Sequence, residues 1–394
     1  MLECKGAGRL LRPRLVGRVA VKLYFTRRNF LSSGAGALLT AAQLRAQQTQ
    51  PAAAVQVREY GSRSTVALTA GEDRRKNVYE ALAAIDDQIL PRLKTKKRVV
   101  IKPNNVSTAN QLAATHADAL RGILDYLAPR FKGPVTIAES SAGMTWSGFR
   151  NFKYTEVIKE YKFPEFNLVD LNEEGKYVLQ PIMDQDTHIS LVRLAARLMD
   201  PEAFIISAAM LKTHNYAIAT LSVKNLVLGA PLHSMMQASE RFNHKERYHA
   251  GYHLIHVNML WTAQSMQPHW GVAIIDGFEG MEGNGPSSGT PVPSRLAIAS
   301  TDLVAADRVG LECMGLDPQT IGYLLYCGQV GLGNYDLAKI DIRGVPIASV
   351  QKKYRLHADA DLQLSWMQPL DVDDGSWIGP RGRRIDGVKP RAPR

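Results

Sequence analysis

The sequence predicts an α/β fold: a mixed, largely parallel sheet flanked by helices, with a ligand cleft at the carboxyl edge of its strands. Three observations predict it. Short β-branched runs alternate with stretches of helical apolar spacing. Polar clusters containing Gly or Asn follow the carboxyl ends of at least four of those runs, the edge where open α/β sheets bind ligands. With the terminal segments set aside, roughly 330 residues remain, enough for one large α/β unit or two lobes.

In chain order, Val99-Val100-Ile101 reads as a strand closed by Lys102-Pro103-Asn104-Asn105. Residues 117–127 carry apolar side chains at helical spacing and precede Pro129. Residues 135–138 are again strand-like and end in Glu139-Ser140-Ser141-Ala142-Gly143. The pattern returns at 203–207, leading to Leu211-Lys212-Thr213-His214, and at 272–275, leading to Asp276-Gly277. Residues 296–299 form a further strand before a helix over 303–314. The clusters Lys102 to Asn105, Glu139 to Gly143, Lys212 to Asn215 and Asp276 to Gly285 are expected to converge on one cleft.

The formal net charge of +11 invites a nucleic-acid reading, but its distribution does not support one. Residues 1–46 carry nine Lys/Arg and one Glu, and residues 381–394 six Lys/Arg and one Asp. With these +8 and +5 set aside, the body carries −2, so no basic binding face remains. Residues 1–46 read as a twin-arginine export signal. Thr26-Arg27-Arg28-Asn29-Phe30-Leu31 leads into an uncharged run of about 13 small and apolar residues, too short for a bilayer core needing roughly 20. Cleavage is expected after Ala46, and residues 1–20 read as an overlong upstream start. Nothing later is long and apolar enough to span a membrane, so a periplasmic protein handled by the twin-arginine translocation machinery is expected. The domain organisation follows: leader 1–46, N-terminal segment 47–98, α/β domain 99–345, C-terminal extension 346–380, and a basic tail over 381–394 expected to be disordered.

Of three cysteines, Cys4 lies in the leader, while Cys313 and Cys327 sit among apolar residues and read as core thiols rather than a bridge. No CxxC pair is present, so neither an iron–sulfur cluster nor a structural zinc site is expected. There is no GxSxG elbow, P-loop, or GxGxxG after a strand.

Three groups of residues could carry chemistry. Lys102, Lys212 and Lys224 stand beside Asn104, His214 and Asn225 in apolar surroundings, where an unpaired ammonium is costly. They either line a pocket for a small anionic ligand or pair with Glu139, Asp276 or Glu279. Seven of ten histidines fall between His214 and His269. His249, His253 and His256 share one face if 247–263 is a helix, either holding a metal or leaving His249 alone in the site while the other two pack. Finally, Asp276, Glu279 and Glu282 are interleaved with glycines, which would let a loop turn carboxylates around a divalent cation or towards the lysines.

Several blocks together resemble the domain of unknown function 362 family: Ile101-Lys102-Pro103-Asn104, Thr115-His116, Leu211-Lys212-Thr213-His214, Thr220-Leu221-Ser222-Val223-Lys224-Asn225-Leu226, Asp276-Gly277-Phe278 to Gly289, Thr301-Asp302 to Asp307, and Met314-Gly315-Leu316-Asp317-Pro318. The resemblance covers about 99–344. It implies that Lys102, Asn104, His116, Lys212, His214, Lys224, Asn225, Asp276 and Glu282 belong to one site. The family has no settled activity; some members carry a ferredoxin-like cluster domain, whose cysteines this chain lacks, and many have a twin-arginine leader.

Two functions remain open. One is an exported enzyme, cofactor- or metal-assisted and open to redox work, acting on a small anionic or carbonyl-bearing substrate. There Lys212 and its fellow lysines orient charge, His214 or His249 moves a proton, and Asp276, Glu279 and Glu282 hold a cation or orient the lysines. The other is a non-catalytic periplasmic binding or electron-transfer partner using the same cleft.

Overall fold

The computed structural model describes residues 60–235 and 241–368, with the backbone of the paired strands Trp377–Ile378 and Arg384–Ile385. The expected leader lies outside the described residues, as does the tail apart from 384–385. The described residues all fall within one compact unit.

Ten strands build one sheet: β1 (Ser64–Ala70), β2 (Arg98–Lys102), β3 (Val135–Glu139), β4 (Phe166–Asp170), β7 (Ala203–His214), β8 (Ile218–Thr220), β9 (Trp270–Glu282), β10 (Thr290–Val292), β11 (Leu296–Ser300) and β12 (Ile340–Gly344). Two more strands, β5 (Tyr177–Met183) and β6 (Ile189–Ala195), pair as a separate hairpin. The main order is β12-β1-β11-β9-β7-β2-β3-β4, with β10 on β9 and β8 on β7. From β9 to β4 every neighbour along this path is parallel; β11 runs antiparallel to both β9 and β1, and β12 is parallel to β1. The fold is therefore the predicted α/β class with a mixed, largely parallel sheet. Because β1 lies inside that sheet, residues 60–98, the described part of the segment expected over 47–98, are structurally continuous with the α/β domain.

Strand side chains alternate between two cores. Val99 and Ile101, Phe204 and Ile206, and Ile274 pack on one face, whereas Val100, Ile205 and Ile275 pack on the other. Burial on both faces explains why these strands read as continuous apolar runs. The first face is covered by α1 (Arg74–Ala83), α2 (Asp86–Leu93), α3 (Ala117–Leu127), α4 (Thr145–Asn151) and α5 (Tyr154–Glu160). A Cβ at Gly122 would stand 2.5 Å from the Arg75 carbonyl oxygen, so the close approach of α3 to α1 requires glycine there. The second face is covered by α6 (Ser222–Val227), α7 (Tyr252–Met266), α8 (Leu303–Cys313) and α9 (Gly322–Gln329). Cys313 and Cys327 are buried free thiols. Among the described residues no helix is long and apolar enough to cross a membrane.

Three local expectations are corrected. β7 does not stop at 207 but runs to His214, so Lys212 and His214 sit on a strand rather than in a loop. β9 likewise continues through Glu282, carrying the glycine-interleaved carboxylates in extended backbone. The helix expected from 247 begins at Tyr252, which leaves His249 outside it.

Helix α6 has no side-chain cap of its own, since Leu221 precedes it. Asp307 of α8 supplies one from across the core: its carboxylate accepts from Ser222 N at 2.7 Å, Val223 N at 2.9 Å and the Ser222 hydroxyl. Asp307→Ala leaves these buried donors unpaired and is expected to lower unfolding stability by about 3 kcal/mol, measured by chemical denaturation.

Candidate functional site

Because β7, β2 and β3 are adjacent and parallel, their carboxyl ends lie on one edge. Lys102 closes β2 in register with Ser207, so β7 continues past that edge before folding back through β8, with Lys212 opposite Thr220 and His214 opposite Ile218. Ile218 adopts φ +61°, a strained position for a β-branched residue, and its N–H donates to the Gln363 side chain at 2.9 Å. Thus a residue of the C-terminal segment holds the hairpin. From β8 the chain enters α6, which returns Lys224 and Asn225 to the end of β2.

The result is a cavity of about 190 Å³ lined by Lys102, Asn104, Glu139, Lys212, His214, Thr220, Lys224, Asn225, Lys245 and His249, among others. At its floor the Lys102 ammonium meets Glu139 at 2.6 Å, both side chains being 2% exposed. Glu139 also accepts from Asn105 N at 2.9 Å and Ser140 N at 2.7 Å. Asn225 braces this pair by accepting from Asn104 Nδ2 at 3.0 Å and donating to the Lys102 carbonyl and Ser207 Oγ, both at 3.1 Å. A Cβ on Gly229 would lie 2.5 Å from Lys102 Cε, so glycine is needed for the lysine to reach its partner.

Among the described residues the other three cavity lysines form no ion pair with a carboxylate. Lys212 donates to the carbonyls of Ala113 at 2.9 Å and Pro286 at 3.3 Å. Lys245, on the single turn His244–Arg247, donates to Ser140 Oγ at 2.9 Å and to two carbonyls of 228–229. Lys224 has no hydrogen-bond or ion-pair partner among the described residues, though it is only 5% exposed. Burial and the neighbouring Lys245 push Lys224 down to about 7. Burial also pushes Lys245 to about 7, the Lys102 ammonium outweighed there by Glu139's opposing pull. Lys212 falls well below its usual value through burial and the nearby Lys224.

His214 and His249 stack with ring centroids 6.4 Å apart. His214 Nδ1 accepts from Tyr216 N at 2.9 Å, which assigns its proton to Nε2. His249 Nδ1 faces the Lys245 carbonyl at 3.0 Å and must donate to it, leaving Nε2 with a lone pair. Burial and Lys224 hold both imidazoles neutral, His249 near 4 and His214 well below its usual value. The cavity thus pairs a neutral donor with a neutral acceptor. Three residues that line the cavity each carry a buried polar atom with no hydrogen-bond partner among the described residues: Asn104 Oδ1, Asn105 Nδ2 and Thr220 Oγ1.

Of the sequence-derived candidates, Lys102, Asn104, Lys212, His214, Lys224, Asn225 and His249 come together. His116, Asp276, Glu279 and Glu282 do not line the cavity. His116 caps α3 by accepting from Asp118 N, and Asp276 pairs with Arg74 at 3.2 Å. Glu282 is engaged by Arg355 at 2.7 Å, and Glu279 is exposed. The reason is the extended β9 backbone, which spreads the carboxylates along a strand instead of curling them around a point. The only potential metal-holding trio among the described residues is Asp184, Asp186 and His188, at the exposed turn between β5 and β6. His256 packs in the core, its Nδ1 accepting from Tyr323 N. Lys245 escaped the sequence reading; its one signal was Asn243, whose side chain caps the turn that carries it.

Fold and site together define an α/β protein with a lysine-rich cavity at the carboxyl edge of its parallel strands. The chain belongs to the family described as Domain of unknown function (DUF362), whose model matches residues 99–312 and so spans every cavity residue named above. A thylakoid-associated protein of Synechocystis sp. is 32% identical over 142 residues, which is 36% of this chain and 41% of that protein. The match therefore spans less than half the length of that relative. A crystal structure of a Thermotoga maritima protein aligns over 59% of this chain and 57% of its own, at 9% identity and a TM-score of 0.35, too remote to carry an argument.

Between pH 7 and the usual lysine value of 10.5, Lys224 and Lys245 bind fewer protons folded than unfolded. Stability is therefore expected to rise with pH across that window, by on the order of 1 kcal/mol per pH unit for each lysine, and to be flat in this respect below it. Denaturation midpoints measured from pH 6 to 9.5 check this, and Lys224→Met should flatten the rise.

Proposed function

We propose that this protein is an exported enzyme that binds a small anion in the lysine cavity and transfers protons on it. One observation carries the reading: four lysines and a single carboxylate converge on one cavity, with Lys224 unpartnered among the described residues. An anion would supply the missing counter-charge, and one or more of the depressed lysines would take up a proton as it binds. About 190 Å³ suits a small molecule and falls below the range of roughly 300–1,000 Å³ typical of drug-sized ligands. The lysines would repel a divalent cation unless it arrived bound to the anion. The histidine pair favours catalysis over binding alone: a neutral His249 Nε2 accepts a proton near neutral pH while His214 Nε2–H donates. Export rests on Arg27 and Arg28 with the uncharged run that follows.

Calorimetric titration with oxalate and with phosphate tests the anion. Binding should be accompanied by proton uptake above pH 7, seen as a dependence on buffer ionisation enthalpy. Lys212→Met and Lys224→Met should each weaken oxalate about tenfold or more, equivalent to about 1.4 kcal/mol. Folded variants that bind like the wild type would overturn the reading. Fused to a reporter that is active only after export, residues 1–50 should direct export, and Arg27→Lys with Arg28→Lys together should abolish it.

A further inference from the structure

We infer that Lys224 is a covalent catalyst: its amine condenses with the carbonyl of a small oxo acid to form an imine, while the substrate carboxylate is held by Lys212 and Lys245. The inference rests on the anion reading above and names the substrate class for it.

The four cavity lysines differ in what they are free to do. Lys102 is bound to Glu139, Lys212 donates to two carbonyls, and Lys245 donates to a hydroxyl and two carbonyls. Lys224 has none of these engagements among the described residues and lies on α6, a helix fixed at its start by Asp307. The titratable groups around it are the lysines Lys212 and Lys245 and the neutral imidazoles of His214 and His249, and among the described residues no carboxylate pairs with it. A lysine that is desolvated and set beside other cations keeps its lone pair near neutral pH, as imine-forming lysines require. Its depressed value of about 7 agrees with that geometry.

The reaction is balanced without an oxidant. The Lys224 nitrogen forms a bond to the carbonyl carbon, and the resulting carbinolamine loses its hydroxyl. The oxygen departs as water, carrying the two hydrogens that leave the amine. His249 Nε2 is the acceptor that receives a proton from the nitrogen and returns it to the departing hydroxyl, while His214 Nε2–H gives a hydrogen bond to the developing oxyanion and keeps its own proton. A substrate of this class needs both a carboxylate and an adjacent carbonyl: the carboxylate draws protons onto Lys212 and Lys245 as it binds, while the unpartnered Lys224 amine is left for the carbonyl.

The test treats the folded wild-type protein with pyruvate and sodium borohydride, with peptide mass spectrometry to locate the reduced adduct. The expected result is about one adduct per chain, at Lys224, suppressed by oxalate, which fills the anion site but offers no ketone. Lys224→Arg should lose the adduct while still binding oxalate. If oxalate binds and no adduct forms at Lys224, or adducts scatter over surface lysines, the imine is overturned and the anion site stands. If neither oxalate nor pyruvate binds, both fall.

Discussion

The Lys102–Glu139 pair is the contact on which the site depends. It joins the carboxyl ends of two adjacent parallel strands, and Glu139 spends its remaining capacity on the N–H groups of Asn105 and Ser140. Such a pair contributes little net stability, because desolvation consumes most of the attraction, yet losing one partner costs about 3–5 kcal/mol. Its effect is therefore positional: it fixes the backbone just past both strand ends, and Asn225 transmits that placement to α6.

Once Glu139 is committed to Lys102, the other lysines are left with carbonyls and hydroxyls. This inequality gives the cavity its chemistry. A fully paired set would be a structural network, whereas an under-paired set remains partly deprotonated and receptive to a counter-charge. The same field keeps His214 and His249 neutral, and the two backbone contacts made by their Nδ1 atoms assign opposite roles to their Nε2 atoms.

Distant parts of the chain hold these groups in place. Asp307 caps α6 from α8, Gln363 anchors the strained Ile218, and Gly229 leaves the space through which Lys102 passes. The site thus draws on segments from Lys102 to Gln363, and the short blocks that carry its lysines do not by themselves bring them together.

The sequence by itself determined the fold class, because fully buried strands and amphipathic helices write their periods into short runs such as 99–101, 117–127 and 135–138. It also determined the residue types of the site, since lysines and amides beside strand ends are conspicuous against apolar neighbours. Tertiary structure alone decided which of them meet. Residues 212, 214, 276, 279 and 282 all lie on strands that outrun their apolar cores, and whether such a strand folds back or runs on depends on partners elsewhere in the chain. β7 folds back through β8 and gathers its residues into the cavity, while β9 runs on and hands Asp276 to Arg74 and Glu282 to Arg355. Beyond the capping Asn243, nothing near Lys245 marked it for the same reason, since its relevance comes from Ser140 and the carbonyls of 228–229.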